Sequence, residues 1–121
     1  MGLLKKRLGE TPAPGVGTIS LPAGTVTINY EEARKGRSVG EDTGKRWPGI
    51  PGGVEVTVKP TLGREFLPIE RPRGSHEYTT LRLVGSRYGR VQIPVAGDYT
   101  ITVAHFVADR ELVDQHLMFK G

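Results

Sequence analysis

The feature that most constrains this chain is strict alternation. Val54, Val56 and Val58 are separated by Glu55 and Thr57 and followed by Lys59 and Pro60. A period of two puts the valines on one face of an extended strand and the polar residues on the other. The same period runs through Ile19 and Leu21, through Val26, Ile28 and Tyr30, and through Tyr99, Ile101 and Val103. A surface helix needs apolar residues every three or four positions, and these runs do not supply them. The 17 glycines and 9 prolines fall between the runs, where their backbone preferences make turns.

Taken along the chain, the pattern predicts strands at 16–21, 24–31 and 54–59, the last closed by Pro60, with a short edge strand around Phe66, Leu67 and Ile69. Further strands are expected at 77–84, 90–95 and 98–107, with a turn at GSRYG (85–89) between the first two. Phe106 is out of phase with Ile101 and Val103, which implies a bulge. A final strand over 115–120 would turn Leu117 and Phe119 inward; a helix over 108–119 is the alternative. Seven or eight short strands with a turn signal about every ten residues predict an all-β fold with little helix. The architecture expected is a single antiparallel β-sandwich, Ig-like or jelly-roll-like, covering 16–121.

A length of 121 residues fits one domain, burying roughly two-thirds of the unfolded surface around one core. Residues 1–15 join a basic turn (Lys5, Lys6, Arg7) to GETPAPG and are expected to be a flexible basic tail. The charge there is followed by no apolar stretch of signal-peptide length, and no later segment is long enough to span a membrane. The chain by itself therefore reads as cytoplasmic unless it is a fragment of something longer. The absence of cysteine excludes disulfides, thiolate metal sites and cysteine nucleophiles. A net charge of +4 is too small to require a polyanionic partner.

The long charged loop at 32–52 contains two strings that imitate catalytic motifs. GRSVG (36–40) has the spacing of a nucleophile elbow, but that device needs a buried strand delivering the serine and a helix after it. EEARK before Ser38 and EDTGKR after it provide neither. Gly44-Lys45 lacks the earlier glycine and the following hydroxyl of a phosphate loop, whose places hold Val39 and Arg46. What remains is a loop balancing Glu31, Glu32, Glu41 and Asp42 against Arg34, Lys35, Arg37, Lys45 and Arg46, in which Trp47 is either an anchor on the sandwich or an exposed platform.

The adjacent pairs Glu31–Glu32 and Glu41–Asp42 read as solvated faces, since neighbours on a strand point apart and acid–base pairs come from separate elements. His76, His105 and His116 have no close metal spacing. Antiparallel pairing of the last two strands could bring His105 and His116 together with Asp109 or Glu111 around zinc, but a histidine bonded to backbone is the favoured reading. No cofactor or metal is expected. Tyr78, Arg82, Arg87, Tyr88 and Arg90 mix aromatic rings with cations on one hairpin, the arrangement with which small barrels hold single-stranded nucleic acid.

The stretches YGRVQIPVAGDYTITV (88–103) and ISLPAGTVTINY (19–30) resemble strands of small bacterial β-sandwich modules. In these a P-x-G-x-Y-x-I-x-V turn feeds the strand before last. They include accessory carbohydrate-binding domains and uncharacterised extracytoplasmic sandwiches of actinobacterial membrane proteins. The resemblance implies a binding or accessory module with a protein or carbohydrate partner rather than an enzyme. The expected contact surface is the 32–52 loop through Trp47, Arg37, Lys45 and Arg46. The alternatives are a nucleic-acid-binding barrel using the 78–90 hairpin and a structural protein assembling as a homo-oligomer.

Overall fold

Alternation at this density requires the apolar faces of the strands to be buried against one another, and the chain does this by stacking two sheets with those faces inward. The computed structural model describes residues 7–33, 49–74, 76–80, 82–104 and 114–121, and among these the regular structure is entirely β. The strands are β1 (Arg7–Pro12), β2 (Gly15–Leu21), β3 (Gly24–Ala33), β4 (Glu55–Pro60), β5 (Ile69–Glu70), β6 (Glu77–Thr79), β7 (Leu83–Ile93), β8 (Gly97–Ala104) and β9 (His116–Lys120). No helix of the described residues is long and apolar enough to cross a membrane.

A 6-stranded sheet runs β1-β9-β3-β7-β5, with β6 also on β7, and a 3-stranded sheet runs β2-β8-β4. All the pairings are antiparallel and three of them are nested: β1 with β9, β2 with β8, and β3 with β7. The chain thus doubles back on itself and is divided between two layers. It passes from one sheet to the other at Ala13–Pro14, whose peptide bond is cis.

The core lies where the alternation places it. Val26, Ile28 and Tyr30 of β3 and Leu117 and Phe119 of β9 face Ile19 and Leu21 of β2, Val56 and Val58 of β4, and Ile101 and Val103 of β8, all of them buried. A bulge in β7 improves the fit. Ile28 pairs with Gly89 and Asn29 with Arg87, so Tyr88 is the extra residue. Its hydroxyl reaches the opposite sheet, where the Val56 amide donates to it at 3.2 Å. The Arg71 guanidinium stacks on the ring at 3.8 Å, and its Nε donates to the Tyr88 carbonyl.

Several expectations need correction. Residues 7–15 are not a tail: β1 is the edge strand beside β9, Ala13 is buried and Leu8 packs on the core. GETPAPG looked unable to contribute because its apolar content is small, but its backbone completes a sheet. GSRYG is not a turn either. It continues the 11-residue strand β7, and the reversal comes earlier, between the antiparallel pair β6 and β7, where the Thr80 amide donates to the Leu83 carbonyl. Its glycines serve close approach rather than reversal, since a Cβ on Gly89 would lie 2.7 Å from the Glu70 carbonyl oxygen. Residues 116–120 form a strand and not the end of a helix, with Leu117 and Phe119 inward as the period required. The edge strand expected near Phe66 is the two-residue β5, and Phe66 itself is exposed. Phe106 and its expected bulge lie outside the described residues.

Candidate functional site

Strand β3 runs through the middle of the larger sheet, between β9 and β7. Its inward residues belong to the core, and its outward residues in the same stretch are Thr27, Asn29 and Glu31. These polar groups would ordinarily meet solvent, yet all three are buried, as is Met118 beside Asn29. At the Ala33 end of the strand the register lines up one row across the sheet. His116 of β9 lies opposite Glu31, Gly85 of β7 opposite Glu31 on the other side, and Tyr78 of β6 opposite Gly85.

The missing side chain at Gly85 makes this row work. A Cβ there would lie 2.6 Å from Cζ of Tyr78 and 2.8 Å from the Tyr30 carbonyl oxygen. The Tyr78 ring therefore lies across Gly85, and its hydroxyl donates to Glu31 Oε2 at 2.5 Å. From the other side His116 Nε2 donates to Glu31 Oε1 at 2.8 Å, while His116 Nδ1 lies 2.8 Å from the Asp114 carbonyl oxygen. Arg7 reaches to 3.8 Å from Glu31 Oε1, and Glu10, paired with Arg7, lies 3.4 Å from His116 Nε2. The Lys120 ammonium sits 5.7 Å from the Tyr78 ring centre.

Glu31 is 2% exposed, and burial alone would push its pKa up. Hydrogen bonds from His116 and Tyr78, with the positive charges of His116 and Arg7, outweigh burial and hold the carboxyl below its ordinary range. His116 moves the opposite way. Its bond to Glu31 raises its pKa against the effect of burial, helped by the Asp114 carbonyl and by Glu10. Because both ring nitrogens face acceptors, the imidazolium form satisfies both. Burial and Glu31 together push the Tyr78 hydroxyl well above its ordinary value.

The chemistry of this arrangement is that of a fastened ion pair. The imidazole turns no lone pair outward for a proton or a metal, both carboxylate oxygens are occupied, and the phenol is held neutral. What the network does is mechanical: it ties β6, the start of β9 with its approach at Asp114, and the end of β3 to one point. A second bond continues it on the inner face, where the Tyr30 hydroxyl donates to Glu32 Oε2 at 2.7 Å.

The expectation that Glu31 and Glu32 form a solvated face is thus overturned, since both are buried and bonded. They do point apart, one to each face of the sheet, and each face has its own cover. The five residues of the basic hairpin are not brought to one surface. Tyr88 is 6% exposed with its ring in the core, and Tyr78 is committed to Glu31. Arg87 is half-buried opposite Asn29, with a buried Nε that has no hydrogen-bond partner, while Arg82 and Arg90 are exposed. Trp47, Arg37, Lys45 and Arg46 lie outside the described residues, as do Ser38, Gly44, His105, Asp109 and Glu111. Of the zinc arrangement only His116 is placed, and Glu31 holds it.

The network could not be found from local sequence. Thr27, Asn29 and Glu31 continue a perfectly ordinary polar phase, and His116 and Tyr78 are distant in the chain. One signal was available: the glycine at position 85 interrupts a strand, which marks a close approach as readily as a turn. Compared with family models, with curated proteins and with solved structures, the chain matches none.

Proposed function

We propose that this chain is a non-catalytic binding or accessory module of jelly-roll type that presents a recognition surface to a carbohydrate or protein partner. The surface lies at the end of the sandwich where β3 leaves for β4 and where β9 begins. The observation that carries this reading is the Glu31 network, which fixes the roots of the connections leaving that end by committing Glu31, Tyr78 and His116 to one another. Loops mounted on a rigid base are the usual means of recognition. The nested order of the pairings, with β1-β9-β3-β7 in one sheet and β2-β8-β4 in the other, supports a jelly roll over an Ig-like sandwich. The same architecture serves lectins, an analogy of fold only.

The test is a heteronuclear NMR titration of the whole chain with soluble α- and β-linked glucan oligosaccharides and, separately, with single-stranded oligothymidylate. Saturable shifts over residues 32–52 and around His116 with an oligosaccharide would support the proposal. Shifts centred on Arg82, Arg87 and Arg90 with oligothymidylate, weakening steeply with salt, would replace it with nucleic-acid binding. Ester hydrolysis lost on Ser38→Ala would replace it with an enzyme.

A further inference from the structure

Single apolar side chains are common on protein surfaces, but several gathered in one place mark a contact site. Leu62 is fully exposed, Val95 is 69% exposed and Phe66 60%, and these are three of the four large apolar side chains exposed among the described residues. They stand at one end of the sandwich. Leu21 pairs with Gly97, Gly24 with Ile93 and Pro60 with Tyr99, which brings the β2–β3 turn, the β7–β8 turn and the turn after β4 to the same end. Phe66 lies just behind them, because the Leu67 amide donates to the Val58 carbonyl at 2.8 Å.

The three turns are built alike. Each starts with a proline and ends with a glycine: Pro22-Ala23-Gly24, Pro94-Val95-Ala96-Gly97 and Pro60-Thr61-Leu62-Gly63. None carries a charge. Their backbones are largely closed as well, since the prolines have no amide to offer. The Gly63 amide donates to the Pro60 carbonyl at 2.9 Å and the Thr61 amide to the Asp98 carbonyl at 3.0 Å. The Lys59 ammonium donates to the Gly63 carbonyl at 3.4 Å, and the Tyr99 hydroxyl to the Val95 carbonyl at 2.5 Å.

We propose that this end is a lipid-binding tip, which dips Leu62 and Val95 past the headgroups of a bilayer while the rest of the domain stays in water. The occupant follows from what the tips lack. A stable protein partner is held over about 800 Å² on each side with roughly one hydrogen bond per 100–200 Å². Two or three convex side chains on separate turns offer neither that area nor the free donors. A bilayer interface needs no matching pocket and favours apolar groups whose backbone is already hydrogen-bonded. Lys59 and Arg64 are offset by Glu65 and Asp98, so apolar insertion rather than charge carries the contact. This end lies opposite the one where β3 leaves for β4, and the inference does not depend on the proposed function.

Co-sedimentation of the full chain with vesicles of phosphatidylcholine, and with vesicles of phosphatidylcholine and phosphatidylserine in equal parts, should show binding to both. The double variant Leu62→Ser, Val95→Ser should weaken it roughly tenfold or more on both, through the lost burial of two apolar side chains. Both positions are exposed, so the far-ultraviolet spectrum should not change. Because the chain has no cysteine, Leu62→Cys can carry a single polarity-sensitive dye, whose emission should move to the blue when vesicles are added. The same dye on Val16→Cys, at the far end of β2, should not respond. No binding to either vesicle, binding confined to the anionic vesicles, binding that the serines leave intact, or a dye at position 62 that stays in water overturns the proposal. So does a dimer in sedimentation velocity that the serines dissolve, which would make a second copy of the chain the occupant.

Discussion

The two outer faces of the sandwich follow the same alternation and end up in opposite states. On the smaller sheet the outward residues are Val16, Thr18 and Ser20 of β2, Thr100 and Thr102 of β8, and Thr57 and Lys59 of β4, all exposed or half-buried. On the larger sheet Thr27, Asn29, Glu31 and Met118 occupy the equivalent phase and are buried. The difference teaches that a polar residue in the outward phase is not thereby in water. A long strand such as β7 leaves room for a short strand beside it, and β6, paired with β7, carries Tyr78 across Gly85 and onto Glu31. Groups thus covered must find partners in the protein, and Glu31 finds His116 and Tyr78.

The sharpest way to break the comparison is Glu31→Ala, which leaves His116 and Tyr78 without the acceptor between them. Removing one member of a buried, hydrogen-bonded ion pair should cost about 3 kcal/mol, measured by urea denaturation. A loss as small as that of an exposed residue would place Glu31 on a face like that of the smaller sheet.

A smaller effect is expected from pH. The Glu31 carboxyl is held low, so its contribution is present above the ordinary carboxylate range and is lost as pH falls through its depressed folded value. The His116 imidazole is held high, so its contribution is complete below the ordinary imidazole value and is lost as pH rises through its raised folded value. Stability should therefore be greatest in mildly acidic solution and decline on both sides. His116→Gln should flatten the alkaline decline. If that decline persists in the variant, another group causes it.

The smallest change belongs to the exposed sheet. Thr102→Val keeps the shape of the side chain on a face where its hydroxyl has water, and should move stability by no more than about 0.5 kcal/mol. A loss comparable to that from Glu31→Ala would mean that this face too is covered.

Much of the fold was legible because its cause is local. Valines at 54, 56 and 58, the isoleucines of β2 and β3, and Leu117 with Phe119 point where a period of two sends them. The errors have a common physical origin. The sequence of β1 resembles a tail because a strand can be held through its backbone with little apolar content. GSRYG resembles a turn because glycine marks both reversal and close approach, and only the identity of the crossing residue, Tyr78, separates the two. The candidate site was illegible for a related reason. Glu31, Tyr78 and His116 are brought together by strand order, and no window of sequence contains that order.

Strand order has a further consequence, for biosynthesis. β9 lies between β1 and β3, so the earliest segment of the sheet to leave the ribosome can dock only after one of the latest has emerged. Until then β3 carries a bare flank, and the nascent chain depends on chaperones or on speed to keep it from the wrong neighbour.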